Sequence, residues 1–413
     1  MQKETLTELL QISQCYVSEI LSESNNEIHL RLKKYSDCKS ICSGCEHIHK
    51  KGFHSSYEII VEDLAISGRR VFLHITKAIY RCECCKKVLS EKIDWLYIRV
   101  TKRYAKQVYR LTGITTNKEA GWYLGIDDEK VYRIDKQMLM DVAKEKLVPV
   151  PAAIHISIDE VSYKKYHRYL TNVIDTDRKL VIWNETGRKA EVLDKYYEGI
   201  GEENCGKIKS VAIDGARTYI SSTQKYALNA LIVLDRFHLV KKLNDAVDTV
   251  RKEQLYLGRK NANEELIDLT NCKQRFLLLK NKDGLTDKQK DLLKRLCEIN
   301  EPIFKAMLLK ESFLGIYECN TVESARDYLK TWIENALKSE LNIFKAIAES
   351  FTEKLEYILN WFRCKISSAI SEGFNNKIKR LKRMAYGYRD VEYFKLKIHQ
   401  HCGLLNPKLE IAR

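Results

Sequence analysis

The stretch "IHISIDEVSYKK", residues 154–165, decides how the rest of the chain is read. Its apolar residues alternate: Ile154, Ile156 and Ile158 fall on one face of a strand, His155, Ser157 and Asp159 on the other. The pattern predicts a strand that stops on two adjacent carboxylates, Asp159 and Glu160, and runs into a basic, tyrosine-bearing loop. Acids at the carboxyl end of a core strand lie where open α/β sheets carry their sites. They need a reason in a chain whose total charge has the opposite sign.

Just before this strand, "PVP" at 149–151 breaks the chain and marks a boundary. After it come "YLTNVIDT", "KLVIWNET", a helical "KAEVLDKYYEGI", "IKSVAID", a second helix and "ALIVLDRFH". Three strands, a helix, a strand, a helix and a strand predict a mixed α/β sheet. From about 240 to 365 only helical periodicity is present, and a basic helix, "EGFNNKIKRLKRMA", precedes the tail. Upstream, 101–145 is helical in pattern, and cysteines cluster between 38 and 85 around two β-like runs. Residues 1–35 carry no clear chemical motif.

The length suits roughly two to four domains. Hydrophobic residues make up 45% and prolines number four, so real cores are expected and no long disordered region. Lys and Arg total 71 against 56 Asp and Glu, a formal charge of +15. That balance suits a polyanionic partner, most simply nucleic acid. The thirteen cysteines are odd in number, and no charged start leads into an apolar run, which argues against a secreted disulfide scaffold. No apolar stretch reaches membrane-spanning length. The chain is expected to be cytoplasmic, where clustered cysteines usually hold metal.

"ICSGC" supplies Cys42 and Cys45, and "RCECC" supplies Cys82 and Cys85. Two such pairs separated by two strands fit a zinc ribbon, because four thiolates satisfy tetrahedral Zn²⁺ and leave no open position. Cys38, Cys84, His47 and His49 lie close enough in sequence to replace a ligand. Next, "NKEAGWYLGIDDEKVYRIDKQM", residues 117–138, resembles a helix-turn-helix. Gly121 permits close helix contact, Gly125 the turn, and Val131 and Ile134 fall where the second helix must be buried. Lys130, Arg133 and Lys136 are then expected to face DNA.

Asp159, Asp214 and Asp235 end the first, fourth and fifth predicted strands. Carboxylates from neighbouring strands can hold two divalent metals about 3.5 to 4 Å apart, as nucleases and polymerases do. With strand order 3-2-1-4-5, Asp214 lies beside Asp159, while Asp235 lies a strand further and doubles as a helix cap. Glu160 points to the other strand face. A third acid, Glu372, heads the basic helix, sharing a face with Asn375, Asn376 and Lys379. Lys377, Lys379, Arg380, Lys382 and Arg383 make a dense basic surface suited to a phosphate backbone.

"SIDEVSYKKYHRYLTNVID", "VAIDGARTYI", "VLDRFHLVKKLNDAVD" and "SEGFNNKIKRLKRMAYGYR" together resemble the ISL3 family of bacterial insertion-sequence transposases. The cysteine spacing and helix-turn-helix fit the same layout, so the resemblance covers nearly the whole chain. It implies an RNase H-like core interrupted by a helical insertion, with Asp159, Asp214 and Glu372 as a DDE triad holding two Mg²⁺ or Mn²⁺. It also implies DNA partners (terminal inverted repeats and target), a homo-oligomeric synaptic complex and work at the bacterial nucleoid. Asp235, His238 and Asn376 are possible accessory residues. Family members often have Asn at the position of Ser368. The expected domains are an amino-terminal segment 1–35, a zinc ribbon 36–95 and a helix-turn-helix domain 96–148. The core then spans 152–245, its insertion 246–360, and its final helix and tail 361–413. A non-enzymatic DNA-binding regulator would leave the three acids unexplained; a nuclease that cuts without strand transfer would use the same core.

Overall fold

The computed structural model describes residues 2–164, 168–271, 275–279, 285–366 and 369–410, which places Ser368 outside the described residues. The chain forms two units: Met1–Glu145 with Asp390–His401 and Leu405–Arg413, and Lys146–Arg389 with Cys402–Leu404.

In the first unit, helix α1 (Lys3–Leu10) precedes strands β1 (Cys15–Glu23), β2 (Glu27–Lys34), β3 (Ser40–Cys42), β4 (Ile48–His49) and β5 (Phe53–Ile66). Strands β6 (Arg69–Arg81), β7 (Val88–Lys92), β8 (Leu96–Tyr97) and β9 (Val100–Thr101) complete the sheet. Its order is β4-β3-β7-β6-β5-β9-β8, and β2 pairs in parallel with β6. The segment 1–35 is therefore part of the sheet that carries the cysteines. Ile28, Leu30 and Leu32 alternate into a core shared with Leu6, Leu10, Val71 and Leu73. Helices α2 (Lys102–Thr112), α3 (Asn117–Leu124) and α4 (Asp128–Lys146) follow.

The helix-turn-helix lies in α3 and α4. Thr116 and Glu119 form a capping box at the start of α3, and Gly125 ends it in the left-handed region at φ 66°. A Cβ at Gly121 would stand 2.6 Å from the Ile126 carbonyl oxygen, so only glycine lets the turn close. Val131 and Ile134 are buried, as the spacing requires.

The second unit opens with β10 (His155–Lys164), β11 (Arg168–Asp175), β12 (Leu180–Thr186), α5 (Ala190–Ile200) and α6 (Glu202–Gly206). Then come β13 (Ser210–Ile213), α7 (Arg217–Tyr226), β14 (Leu231–Leu234) and α8 (Arg236–Lys260). The sheet order is β12-β11-β10-β13-β14, antiparallel on one side of β10 and parallel on the other. Further helices follow: α9 (Glu264–Thr270), α10 (Arg275–Leu279), α11 (Asp287–Ile299), α12 (Glu301–Leu314), α13 (Val322–Lys338), α14 (Asn342–Glu353) and α15 (Leu355–Cys364). Helices α16 (Ala369–Met384) and α17 (Val391–Cys402) come next. One apolar core joins the sheet to the helices, from Ile156 and Val211 to Phe313 and Phe351.

One expectation changes here. The strand does not stop on Asp159 and Glu160, because antiparallel pairing with β11 carries β10 on to Lys164. What stops is the parallel neighbour: β13 pairs with β10 only from His155 to Ser157, leaving Asp159 just past its end. Ile154 precedes the strand and is exposed. The stretch 361–413 also divides: α16 belongs to the second unit, whereas residues 390–401 and 405–413 belong to the first. There Lys397 donates to Asp135 at 3.1 Å and to the Thr112 carbonyl at 2.8 Å, and the Tyr393 hydroxyl donates to Asp135 at 2.6 Å.

Candidate active site and metal centre

Three acids gather at the carboxyl end of the parallel strands. Asp159 lies on central β10, and Asp214 directly follows β13, where its Oδ1 accepts the Ala216 N–H at 2.9 Å. Gly215, at φ 87°, lets the chain turn immediately after it. Asp235 follows β14 and caps α8, its Oδ1 accepting the Phe237 N–H at 2.9 Å. His238, one turn into α8, stands 3.5 Å from Asp235.

Asp159 is largely buried, and this loss of solvation pushes its carboxyl up to about 6; the Glu160 N–H and His238 oppose the shift, and Asp214 and Asp235 add to it. Asp235 therefore acts on Asp159 despite standing one strand beyond Asp214. Burial also raises the Glu160 carboxyl, which accepts a hydrogen bond from the Tyr219 hydroxyl at 2.7 Å. Asp159 meets α16 and Glu160 meets α7, as alternation along a strand requires. Lys354 donates to the Gly215 carbonyl at 2.9 Å, and burial lowers its proton affinity.

Helix α16 crosses β10 through Ser371 and Asn375. The Ser371 and Ser157 hydroxyls meet at 2.6 Å, and the Asn375 amide donates to Asp159 Oδ2 at 2.8 Å. Glu372, beside Ser371 in the first turn, is exposed, as is Asn376. Among the described residues the three carboxylates form no set of ligand atoms all within 4.8 Å of one another. Lys379, Arg380 and Arg383 are exposed and Lys382 is half-buried, with no acidic partner among the described residues; Lys377 is exposed too. The Asn375 contact was not visible from sequence, although its helical spacing from Glu372 was a usable signal.

Such a set does exist at the cysteines. The sulfurs of Cys42, Cys45, Cys82 and Cys85 all lie within 4.8 Å of one another, with Cys42–Cys85 at 3.9 Å and Cys45–Cys82 at 3.6 Å. Four thiolates around one Zn²⁺ at 2.3 Å would be about 3.8 Å apart, so the set fits. Its two turns are built alike. The Cys42 and Cys82 N–H groups donate to the His47 and Lys87 carbonyls, and Glu46 and Lys86 take positive φ. The Cys82 thiol is held down to about 6, chiefly by the backbone N–H of Cys85. Cys38, Cys84, His47 and His49 lie outside the set; buried His49 stacks on Tyr80.

The helix-turn-helix cations differ in their surroundings. Lys130 is ion-paired with buried Glu62, and Lys136 with Asp390 at 2.6 Å, so neither is a free cation; Arg133 is exposed. Exposed cations do occur on α2, where Lys102, Lys106 and Arg110 recur at helical spacing opposite buried Tyr104, Val108 and Tyr109. Trp122 and Tyr123 of α3 are also exposed.

The α/β sheet thus carries a cluster of acids beside a basic helix, and the chain also carries a four-cysteine set. Residues 156–398 match the model of an ISL3-type family described as Transposase. The transposase for insertion sequence element IS1001 of Bordetella parapertussis is 31% identical over 365 residues, 87% of each chain. The transposase for insertion sequence element IS1557 of Mycobacterium tuberculosis is 28% identical over 257 residues, 57% of each chain. The chain belongs to the ISL3 family of insertion-sequence transposases. Among the described residues no helix is long and apolar enough to cross a membrane.

Proposed function

We propose that this transposase binds the terminal repeats of its element and uses an RNase H-like core to cut and join DNA, with Asp159, Asp214 and Glu372 as its acids. The observation that carries the reading is geometric: Asp159 on β10 and Asp214 at the end of adjacent β13 meet where α16 crosses β10. Half-buried Asp159, whose proton affinity burial raises and Asp214 and Asp235 raise further, favours a cation there. Mg²⁺ or Mn²⁺ ions bound there would stabilise charge on the attacking and leaving oxygens of in-line phosphoryl transfer. Asp159 and Asp214 would hold them from adjacent strands, and Glu372 would add a third carboxylate from α16. Lys379, Arg380, Lys382 and Arg383 bind backbone phosphates alongside. Water attacks the phosphodiester at an element end and frees a 3′-hydroxyl, which then attacks a target phosphodiester; neither step bonds DNA to the protein.

The four cysteines hold one structural Zn²⁺ that shapes the DNA-binding unit. Elemental analysis of dialysed protein is expected to find one zinc per chain, lost in Cys82→Ser; zinc-free protein with normal end binding would contradict this. The electrostatic reach of Asp235 to Asp159 favours a second reading, in which Asp235 replaces Asp214 as ligand. The function itself is tested with an element-end duplex, a target plasmid and Mg²⁺. Joined products are expected; cleavage without joining would make the protein a nuclease, and end binding without either would make it a regulator.

A further inference from the structure

We propose that Asn375 is a cation ligand of the acidic site, contributing its side-chain carbonyl oxygen beside Asp159; this rests on the reading that those acids hold a divalent cation. Asn375 is 8% exposed. Its amide nitrogen donates to Asp159 Oδ2 at 2.8 Å and approaches the Glu160 carbonyl at 3.3 Å. Its oxygen is buried and has no partner among the described residues. Reversing the amide would set that oxygen against a carboxylate and a carbonyl and leave the nitrogen without acceptors, so the neighbours fix its orientation.

Buried amide oxygens without a donor are uncommon in folded proteins and call for an explanation. The hydrogen bonds of the nitrogen to Asp159 and Glu160 do not provide one, because they fix the amide's orientation and leave its oxygen without a donor. Another donor would explain it, and so would a cation. The surroundings favour the cation: Asp159, Asp214 and Asp235 supply negative charge, and hard cations take carboxylate and amide oxygens alike. A neutral oxygen adds a ligand without adding a fourth charge to acids that already repel one another. Its place on α16, three residues after Glu372, puts acid and amide on adjoining turns of one helix.

The test is Mn²⁺ titration of the zinc-loaded, full-length protein, followed by electron paramagnetic resonance without DNA. Wild type is compared with Asn375→Leu, Asn375→Asp and Asp159→Ala, and metal-free melting reports folding. Asn375→Leu is expected to weaken Mn²⁺ binding by about tenfold or more. Asn375→Asp keeps an oxygen of nearly the same shape and is expected to bind at least as tightly as wild type; it decides the matter alone if the leucine variant does not fold. An Asn375→Leu that binds like wild type, or an Asn375→Asp that loses Mn²⁺, overturns the assignment while Asp159→Ala still shows the acids to bind metal. Equal binding by wild type and Asp159→Ala overturns both readings.

Discussion

Asp159 shows how burial becomes a measurable property. Its carboxyl, pushed up to about 6 from an ordinary 3.8, binds a proton more tightly folded than unfolded. The sign follows: without metal, stability falls as pH rises between those values and stays lower above them. Asp159→Asn removes the effect. In EDTA the variant is expected to be more stable than wild type at neutral pH, by up to about 3 kcal/mol. The gap should shrink as pH falls and vanish below about 4; a gap independent of pH would contradict this. Asp159 and Asp214 were legible because each follows an apolar strand pattern. The partner of Asp159 was not, since Asn375 is 216 residues away. The acid partners of two lysines were equally hidden: Glu62 lies 68 residues from Lys130, and Asp390 lies 254 from Lys136. Sequence displays a lysine's charge but not the acid that a fold brings to it.

Periodicity made the elements of the second unit readable, from alternation in β10 to the helices after β14. It also held in β2, where Ile28, Leu30 and Leu32 alternate with Glu27, His29, Arg31 and Lys33. The end of β10 was misplaced because a strand's length depends on its partner; β11 continues where β13 has stopped. Helix α16 carries the basic surface. One side packs on β10, while Lys379, Arg380 and Arg383 remain exposed. Replacing Lys379 and Arg380 with glutamine is expected to flatten the slope of log affinity against log salt by about one to two. Preference for the element end should change little. An unchanged slope would place this helix away from DNA.

At the scale of the molecule, the chain leaves the first unit after Glu145 and returns to it at Asp390. A buried pair secures the return: Lys397 and Asp135 are 2% and 0% exposed. Removing one partner of such a pair strands the other charge. Lys397→Met is therefore expected to destabilise the first unit by about 3 to 5 kcal/mol in denaturant unfolding of the intact chain. Adding Asp135→Asn should restore part of the loss; a neutral Lys397→Met would show that the pair is not needed. No local pattern announces this return, because a tail following the basic helix reads as its continuation.

Cleavage of DNA is assigned to metal held by the acids at the end of the five-stranded sheet and on α16. It is tested most directly by Mg²⁺-dependent cleavage of an element-end duplex with Asp159→Ala, Asp214→Ala, Glu372→Ala and Asp235→Ala proteins. The first three are expected to bind the duplex and cut nothing. Asp235→Ala should lose a helix cap worth roughly 0.5 to 2 kcal/mol and still cut at low temperature. A folded Asp235→Ala without activity, beside an active Asp214→Ala, would move the metal site one strand over. Cleavage by Asp159→Ala at the wild-type rate would contradict the account altogether.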